Sequence, residues 1–331
     1  MINFRFHLVS LVAVFLALTV GIIVGASIVN QAIVDGLNHR IDTVGKNADR
    51  QSAANQKLTT SAKQLESYLT SAAPYVVENR LTAVPVVVVA EQGVDRDTVR
   101  NVVTLLQDAG AQSPAIVWIS QKWLLDKPAD RTRLAAIVND QASSAVLRKD
   151  ALAALAHRLG TAAAVSTGTK SATTTTTPTT TASSGAPDDL LSALSSAGFL
   201  SIEAVGASGT TDLSTFPLPG VRAVVVGGVT SDLKTTPVVT QLATAFSAIA
   251  VPTVAGDVYR VADGQAPRGT DLSSIRNNAG LAKSISTVDD VDLVQGDVAV
   301  VLATAESGES KIGHYGYGNG ADRALPSWPG P

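Results

Sequence analysis

The chain contains no cysteine, and Met1 is its only methionine. Disulfides, thiolate zinc sites, iron–sulfur clusters and cysteine nucleophiles are therefore excluded. Cu(I) prefers thiolate and thioether ligands, and one initiator methionine cannot supply them. Histidine is scarce too: His7, His39, His157 and His314 are scattered, with no paired spacing. Charged residues make up 16% of the chain and the net charge is -3, so no broad basic footprint for nucleic acid is present. The strand end Val224–Val229, with Gly227-Gly228, lacks the GxGxxG fingerprint, and no GxxxxGK[ST] occurs. The two glycines read as a turn at a strand end. No cofactor is implied. The missing cysteines leave the compartment open, because many exported proteins lack disulfides.

Apolar sequence is abundant instead. Hydrophobic residues make up 45% of 331 residues, a length that corresponds to about two structural units. Leu8–Val29 carries no charge. At about 1.5 Å per residue, a helix of this length crosses a hydrocarbon core of about 30 Å. Arg5 and the short tail before it favour an N-terminus inside and the bulk of the chain outside the cytoplasmic membrane. The competing reading is a cleaved signal peptide ending near Gly25-Ala26-Ser27. The apolar run exceeds the roughly 7–15 residues of such a peptide's core, which favours an anchor held by lipid through residues 8–29. Ala13, Ala17, Gly21 and Gly25 recur every fourth residue on one helix face, with a GxxxG motif at its end. Such a face lets two helix backbones approach closely. Small residues are also common in membrane helices generally.

A heptad seam follows. Val34, Ile41, Ala48, Asn55, Ala62 and Leu69 are spaced by seven, and Leu37, Val44, Gln51, Leu58, Leu65 and Ala72 lie three residues after each. This is an a/d pattern with polar flanks, the mark of a coiled coil. Asn55 and Gln51 weaken the seam, and polar seam residues can set register and strand number. Gly36 and Gly45 also cost helix stability. Pro74 is expected to end the stalk. A parallel homodimer is the favoured reading, since the membrane face and the seam call for the same partner. The alternative is a stalk helix packed on the C-terminal domain.

The expected organisation is an anchor over 1–30, a coiled-coil stalk over 31–74 and an exported domain over 75–331. Val84–Ala90, Ala115–Ile119, Phe199–Val205, Arg222–Gly227, Val251–Val254 and Asp297–Ala303 read as strands. Helical spacing appears over 95–109, 130–139, 147–159, 188–197 and 237–250. Alternation of continuous apolar strands with helices predicts an α/β fold, a mainly parallel sheet covered by helices on both faces. The Thr-rich segment 161–187 is too polar to offset its ordering entropy and is expected to be a disordered insertion.

Two loops stand out as candidate partner or ligand sites. Asp289, Asp290 and Asp292 form the densest acidic group, suited in principle to a hard cation. The plainer reading is a capping box from Ser286 to Asp289 that starts a helical turn. The run Gly313-His314-Tyr315-Gly316-Tyr317-Gly318 reads as a recognition loop, or as backbone needing positive φ. No nucleophile motif accompanies His314, so no catalytic residue is assigned and the chain reads as a non-enzyme. An enzyme of unknown type on the α/β domain stays as a distant alternative.

The opening Met1–Leu11, which runs into Ala13–Leu18 and Gly21-Ile22, resembles the start of the actinobacterial MctB family. Ile285–Asp292 and Gly313–Gly316 resemble it as well. The likeness in order and spacing extends along nearly the whole chain. It implies two functions. Family members are described as copper-transport proteins of the mycobacterial outer membrane that keep internal copper low. The similar SteB proteins are anchored, exported coiled-coil proteins that act with the membrane protein SteA in envelope assembly, division and peptidoglycan remodelling. The ligand content does not support copper binding, since thiolate and thioether donors are missing. One apolar helix makes no pore, and a barrel needs many strands of alternating character. The leading expectation is therefore a dimeric envelope scaffold with a SteA-like membrane partner. A copper-homeostasis component is the alternative.

Overall fold

A computed structural model of the chain describes residues 4–112, 115–161, 187–206, 209, 211, 213, 217–233, 237–259 and 267–327. Of the Thr-rich insertion, 162–186 lie outside the described residues. The chain divides into two compact units, Met1–Ser67 and Tyr68–Pro331.

The first unit is helical throughout its described length. Helix α1 (Phe4–Val77) runs for 74 residues without a break. Its stretch Phe4–Ala26 is long and apolar enough to cross a membrane, and none of its most apolar window is buried within the chain. The last turns of α1, from Tyr68, belong to the second unit. Pro74 does not end the helix, contrary to expectation: α1 continues to Val77. A proline inside a helix loses its N–H bond to the turn before and crowds the carbonyl four residues back. Ala73 just before it and Val77 just beyond it are buried in the core of the second unit, and that burial outweighs the cost of the proline.

The second unit is an α/β sandwich. In chain order its elements are β1 (Val86–Glu91), α2 (Arg96–Asp108), β2 (Ala115–Ile119), α3 (Pro128–Val138), α4 (Ser144–Gly160), α5 (Pro187–Ser196), β3 (Leu200–Ala204), β4 (Arg222–Gly228), α6 (Val238–Ala248), β5 (Thr253–Val258), α7 (Ser273–Arg276), β6 (Ile285–Val288), α8 (Val294–Ser307) and β7 (His314–Tyr315). The sheet order is β3-β2-β1-β4-β5-β6-β7. Every pairing is parallel except β2 with β3. β3 is held down by Glu203, which accepts from Trp118 Nε1 at 2.9 Å, Arg96 Nη1 at 3.1 Å and Arg100 Nε at 2.5 Å.

The pleat explains why the strands are apolar without interruption. Val87 and Val89 face one side with Ala223, Val225 and Ala255, under α3, α4, α5 and α6. Val86, Val88 and Ala90 face the other with Val224, Val226 and Val254, under α2, α8 and the end of α1. The central strands β1, β4 and β5 thus bury both of their faces.

Two expected elements are corrected. Asp297–Ala303, read as a strand, lies inside α8, which is buried on almost every side from Gly296 to Thr304. A continuous apolar run is equally suited to a strand or to a buried helix, and its periodicity cannot separate them. The predicted strand over 251–254 is the start of β5, which extends to Val258. Gly256 and Asp257 had obscured that end.

Candidate functional site

The chain leaves β1 toward β2 on one side, and later returns to place β4 on the other. The carboxyl ends of β1 and β4 therefore flank the point where strand order reverses. In open α/β sheets that crevice is where ligands bind. A pocket of about 290 Å³ opens here, between Glu91, Gly227, Asp257, the start of α6 and the segment 270–274.

Local folding sets its residues. Glu91 ends β1 on the same face as Val87 and Val89. Asp257 shares that face with Ala255. Gly227 is the direct partner of Asp257, and the register of β1 with β4 sets Glu91 beside Gly227 on its other side. Glu91, Gly227 and Asp257 thus form a row across three strands, with glycine in the middle. Asp271 stands at the exposed rim.

These carboxyls are electrostatically unusual. Burial pushes Glu91 up to about 7, with Asp271 adding to it and Ser231 and the Val239 N–H opposing it. Burial pushes Asp257 up to about 8, reinforced by Asp271 and Asp289 and opposed by Arg268. Asp257 is 1% exposed, and neither of its oxygens has a hydrogen-bond partner among the described residues.

A second acidic group lies next to this pocket and contains the residues singled out from sequence. Asp289 is fully buried at the end of β6 and pairs with Arg276 at 2.8 Å. Its Oδ1 also accepts from the backbone N–H of Tyr317 at 2.9 Å and of Gly318 at 3.0 Å. Arg276 donates in addition to the carbonyls of Tyr315 and Asn319 and to Thr287 Oγ1. Gly316 has φ +118, and a Cβ there would lie 2.2 Å from Asp289 Oδ1. The two unusual segments are thus one structural unit, a loop wrapped around a buried carboxylate. Ser286–Asp289 is not a capping box, since it ends a strand, and the helix that follows has Leu293 at its cap.

The other residues of these loops divide by role. Asp292 is held by Arg268 in a two-pronged pair at 2.5 and 2.9 Å. Asp290 is buried without a hydrogen-bond partner for either oxygen among the described residues, and burial and Asp289 push it up to about 7. Asp297 in α8 rises to about 8 through burial and Asp290. His314 and Tyr315 form the edge strand β7 rather than a loop. His314 Nδ1 meets Thr287 Oγ1 at 2.9 Å, and burial and Arg276 lower its pKa. The Tyr315 hydroxyl donates to Glu306 at 2.6 Å. Tyr317 alone projects into solvent, at 64% exposure.

In the first unit, Ala13, Ala17, Gly21 and Gly25 are all exposed on α1. A Cβ at Gly21 or Gly25 would meet nothing within 4 Å, so nothing in this chain's own fold requires glycine there. In the seam, Val34, Leu37, Ile41, Val44, Leu58 and Leu65 are each more than half exposed. Ala48, Gln51, Asn55 and Ala62 are exposed too, and Leu69 and Ala72 are half-buried.

Sequence reasoning missed Glu91, Asp257, Asp271, Arg268 and Arg276. One signal was available: an acid that closes an apolar strand, as in Val86–Glu91. Such a residue sits at the carboxyl edge of a parallel sheet.

The raised carboxyls predict a pH dependence. The folded state keeps Asp257 protonated up to about 8, whereas an unfolded aspartate ionises near 4. Its stabilising contribution is complete below that ordinary value and is lost as pH rises through 8. Each such group lowers stability by about 1.4 kcal/mol per pH unit between the two values. Thermal melts of the full-length protein in detergent should show lower stability at pH 8 than at pH 5. Asp257→Asn should flatten that slope, and an unchanged slope would show that Asp257 is ionised in the fold.

Strand order, switch point and carboxyl-edge pocket define the class: a doubly wound α/β domain on a chain whose helix α1 is long and apolar enough to span a membrane. The order matches that of dinucleotide-binding sheets, but the turn after β1, Gln92-Gly93-Val94, lacks the glycine fingerprint. A Cβ at Gly93, just after β1, would lie 2.6 Å from the Asp232 nitrogen, so the turn after β4 occupies that space.

Within that class the chain belongs to the MctB family, described as "Copper transport outer membrane protein, MctB", which matches residues 1–326. It is similar to "Copper transporter MctB" of Mycobacterium tuberculosis (strain ATCC 25618 / H37Rv), at 26% identity over 322 residues, 97% of this chain and 98% of that protein. The protein of the same name from Mycobacterium bovis (strain ATCC BAA-935 / AF2122/97) matches at the same identity and coverage.

Proposed function

We propose that this protein is a non-enzymatic, membrane-anchored envelope component that works as a parallel homodimer and presents its α/β domains to a membrane protein partner of the SteA type. In this reading α1 enters the cytoplasmic membrane with its N-terminus inside and the α/β domain outside. Regulation of peptidoglycan remodelling through that partner is the downstream effect. One observation carries the reading: the heptad stripe Val34–Leu65 leaves its large apolar side chains exposed on a single continuous helix. Such a stripe calls for a second helix. The glycines at 21 and 25 support the same pairing.

The printed name of the relatives favours a second reading, copper transport or copper homeostasis with copper as cargo. The donor set limits how it would work. Thiolate is absent and Met1 is the sole thioether, so any direct contact would use oxygen and imidazole, donors that suit Cu(II) over Cu(I). Among the described residues no group of three or more His, Asp or Glu side chains is arranged to hold a metal ion. In this reading copper would be handled by the assembly or its partner.

A pull-down of tagged full-length protein from detergent-solubilised native membranes separates the two, with Leu58→Asp/Leu65→Asp run beside it and copper measured in each eluate. One stoichiometric membrane partner, lost in the double variant, is the expected result. Recovery of the protein alone with bound copper would overturn the scaffold reading and leave the copper reading in its place.

A further inference from the structure

The carboxyl-edge pocket holds a feature that neither anchoring nor self-association uses. Asp257 is 1% exposed and lines the pocket, with no hydrogen-bond partner for either oxygen among the described residues. Buried polar groups are almost always partnered. A buried acceptor pair without a partner, on a residue that lines a cavity, is one that a ligand entering the cavity can complete. Glu91, across the row, differs: Ser231 and the Val239 N–H, in the first turn of α6, already serve it. The positive end of α6 is thereby met by a carboxylate and does not make the pocket attractive to anions.

The wall sets the ligand's charge and size. Among the described residues Glu91, Asp257 and Asp271 line the pocket, with no lysine, arginine or histidine beside them. The nearby Arg268 is held by Asp292. The charge this wall offers is therefore that of carboxyls: burial holds Glu91 and Asp257 toward the neutral form, and a cation entering beside them draws them into the ionised one. Glu91 and Asp257 stand two strand spacings apart, about 9–10 Å between their backbones, with Gly227 between them. A Cβ at Gly227 would lie 2.4 Å from Val239 Cγ2 and 3.0 Å from Glu91 Oε2, so the packing of these two side chains requires glycine in the middle of the row. The carboxyls surround a space rather than converge on a point, in keeping with the lack of a metal-holding group among the described residues. At about 290 Å³ the space equals roughly ten water volumes, too large for a bare ion. Thr240, Thr270, Ser273 and Ser274 also line the pocket and supply hydroxyls, and Thr240 Oγ1 and Ser274 Oγ lie 2.7 Å apart.

We propose that this pocket binds a small hydroxylated organic ammonium ion, with Asp257 and Asp271 receiving the ammonium group and the Thr240–Ser274 wall receiving the hydroxyls. Binding draws the Asp257 carboxyl into its ionised form and releases its proton to solvent.

The test is titration calorimetry on the full-length protein in detergent at pH 7. The probes are glucamine (1-amino-1-deoxysorbitol), sorbitol as the same skeleton without the amine, and putrescine as an amine without hydroxyls. Two buffers of different ionisation enthalpy read the proton. Glucamine is expected to bind one per chain with proton release, at least tenfold more tightly than sorbitol or putrescine. Asp257→Asn is expected to abolish binding. Asp271→Asn, at the exposed rim where folding is not at stake, should weaken it at least tenfold. No binding of glucamine, equal binding of sorbitol or putrescine, or unchanged binding by Asp271→Asn would each overturn the proposal. Saturation of the pocket by magnesium or copper(II) chloride, to the exclusion of glucamine, would overturn it as well.

Discussion

Leu58→Asp/Leu65→Asp is expected to convert the full-length protein from dimer to monomer. Sedimentation velocity in detergent, or cross-linking in isolated membranes, reads this directly. Both leucines occupy d positions and are 68% and 59% exposed on the single helix. Burying a leucine is worth about 1.5–3 kcal/mol, and a parallel dimer buries two from each chain in this stretch. Removing them costs roughly 6–12 kcal/mol as an upper bound. The introduced aspartates would then face each other in the seam. A weakening of at least about a thousandfold, or roughly 4 kcal/mol, is expected. The polar seam residues Gln51 and Asn55 lie just before Leu58, so this half of the stalk depends on few apolar contacts. An unchanged dimer would move the interface to Ala13, Ala17, Gly21 and Gly25, and the paired variant Gly21→Leu/Gly25→Leu would then carry the loss.

Asp289→Ala is expected to be the most destabilising single change in the α/β domain, by about 3–5 kcal/mol. The substitution leaves Arg276 buried, at 2% side-chain exposure, with its charge uncompensated. It also strips the backbone N–H groups of Tyr317 and Gly318 of their acceptor. Asp289→Asn should cost less, because its carbonyl oxygen still accepts from both. Chemical denaturation of the three proteins in detergent gives the order. Added salt should leave the difference unchanged, since a buried pair is screened far less than a surface one. A loss below about 1 kcal/mol would place the pair in the range of solvent-exposed ion pairs and remove its structural role.

These two predictions come from parts of the chain that were unequally legible. The anchor and stalk depend on local patterns. A charge-free run and a seven-residue repeat describe one helix, whatever that helix later meets. The Val-rich strands were legible for the same reason, because a strand buried on both faces reads as unbroken apolar sequence. Asp289–Asp292 and His314–Tyr317 stood out by composition alone, and the structure brings them together, but as a carboxylate wrapped by a loop and an edge strand.

Sequence by itself determined the single candidate span, the heptad stripe, the α/β class and the exclusion of thiol chemistry, since each follows from residue type and short-range spacing. Tertiary structure alone decided the rest. It assigned Asp297–Ala303 to a buried helix, because an apolar run fits either state until its neighbours are known. It carried α1 past Pro74, because the core behind Ala73 and Val77 offsets the cost of the proline. It set Glu91, Gly227 and Asp257 in one row, because strand order and register join Glu91 to residues more than a hundred positions further along the chain, and no local pattern encodes a neighbour at that distance.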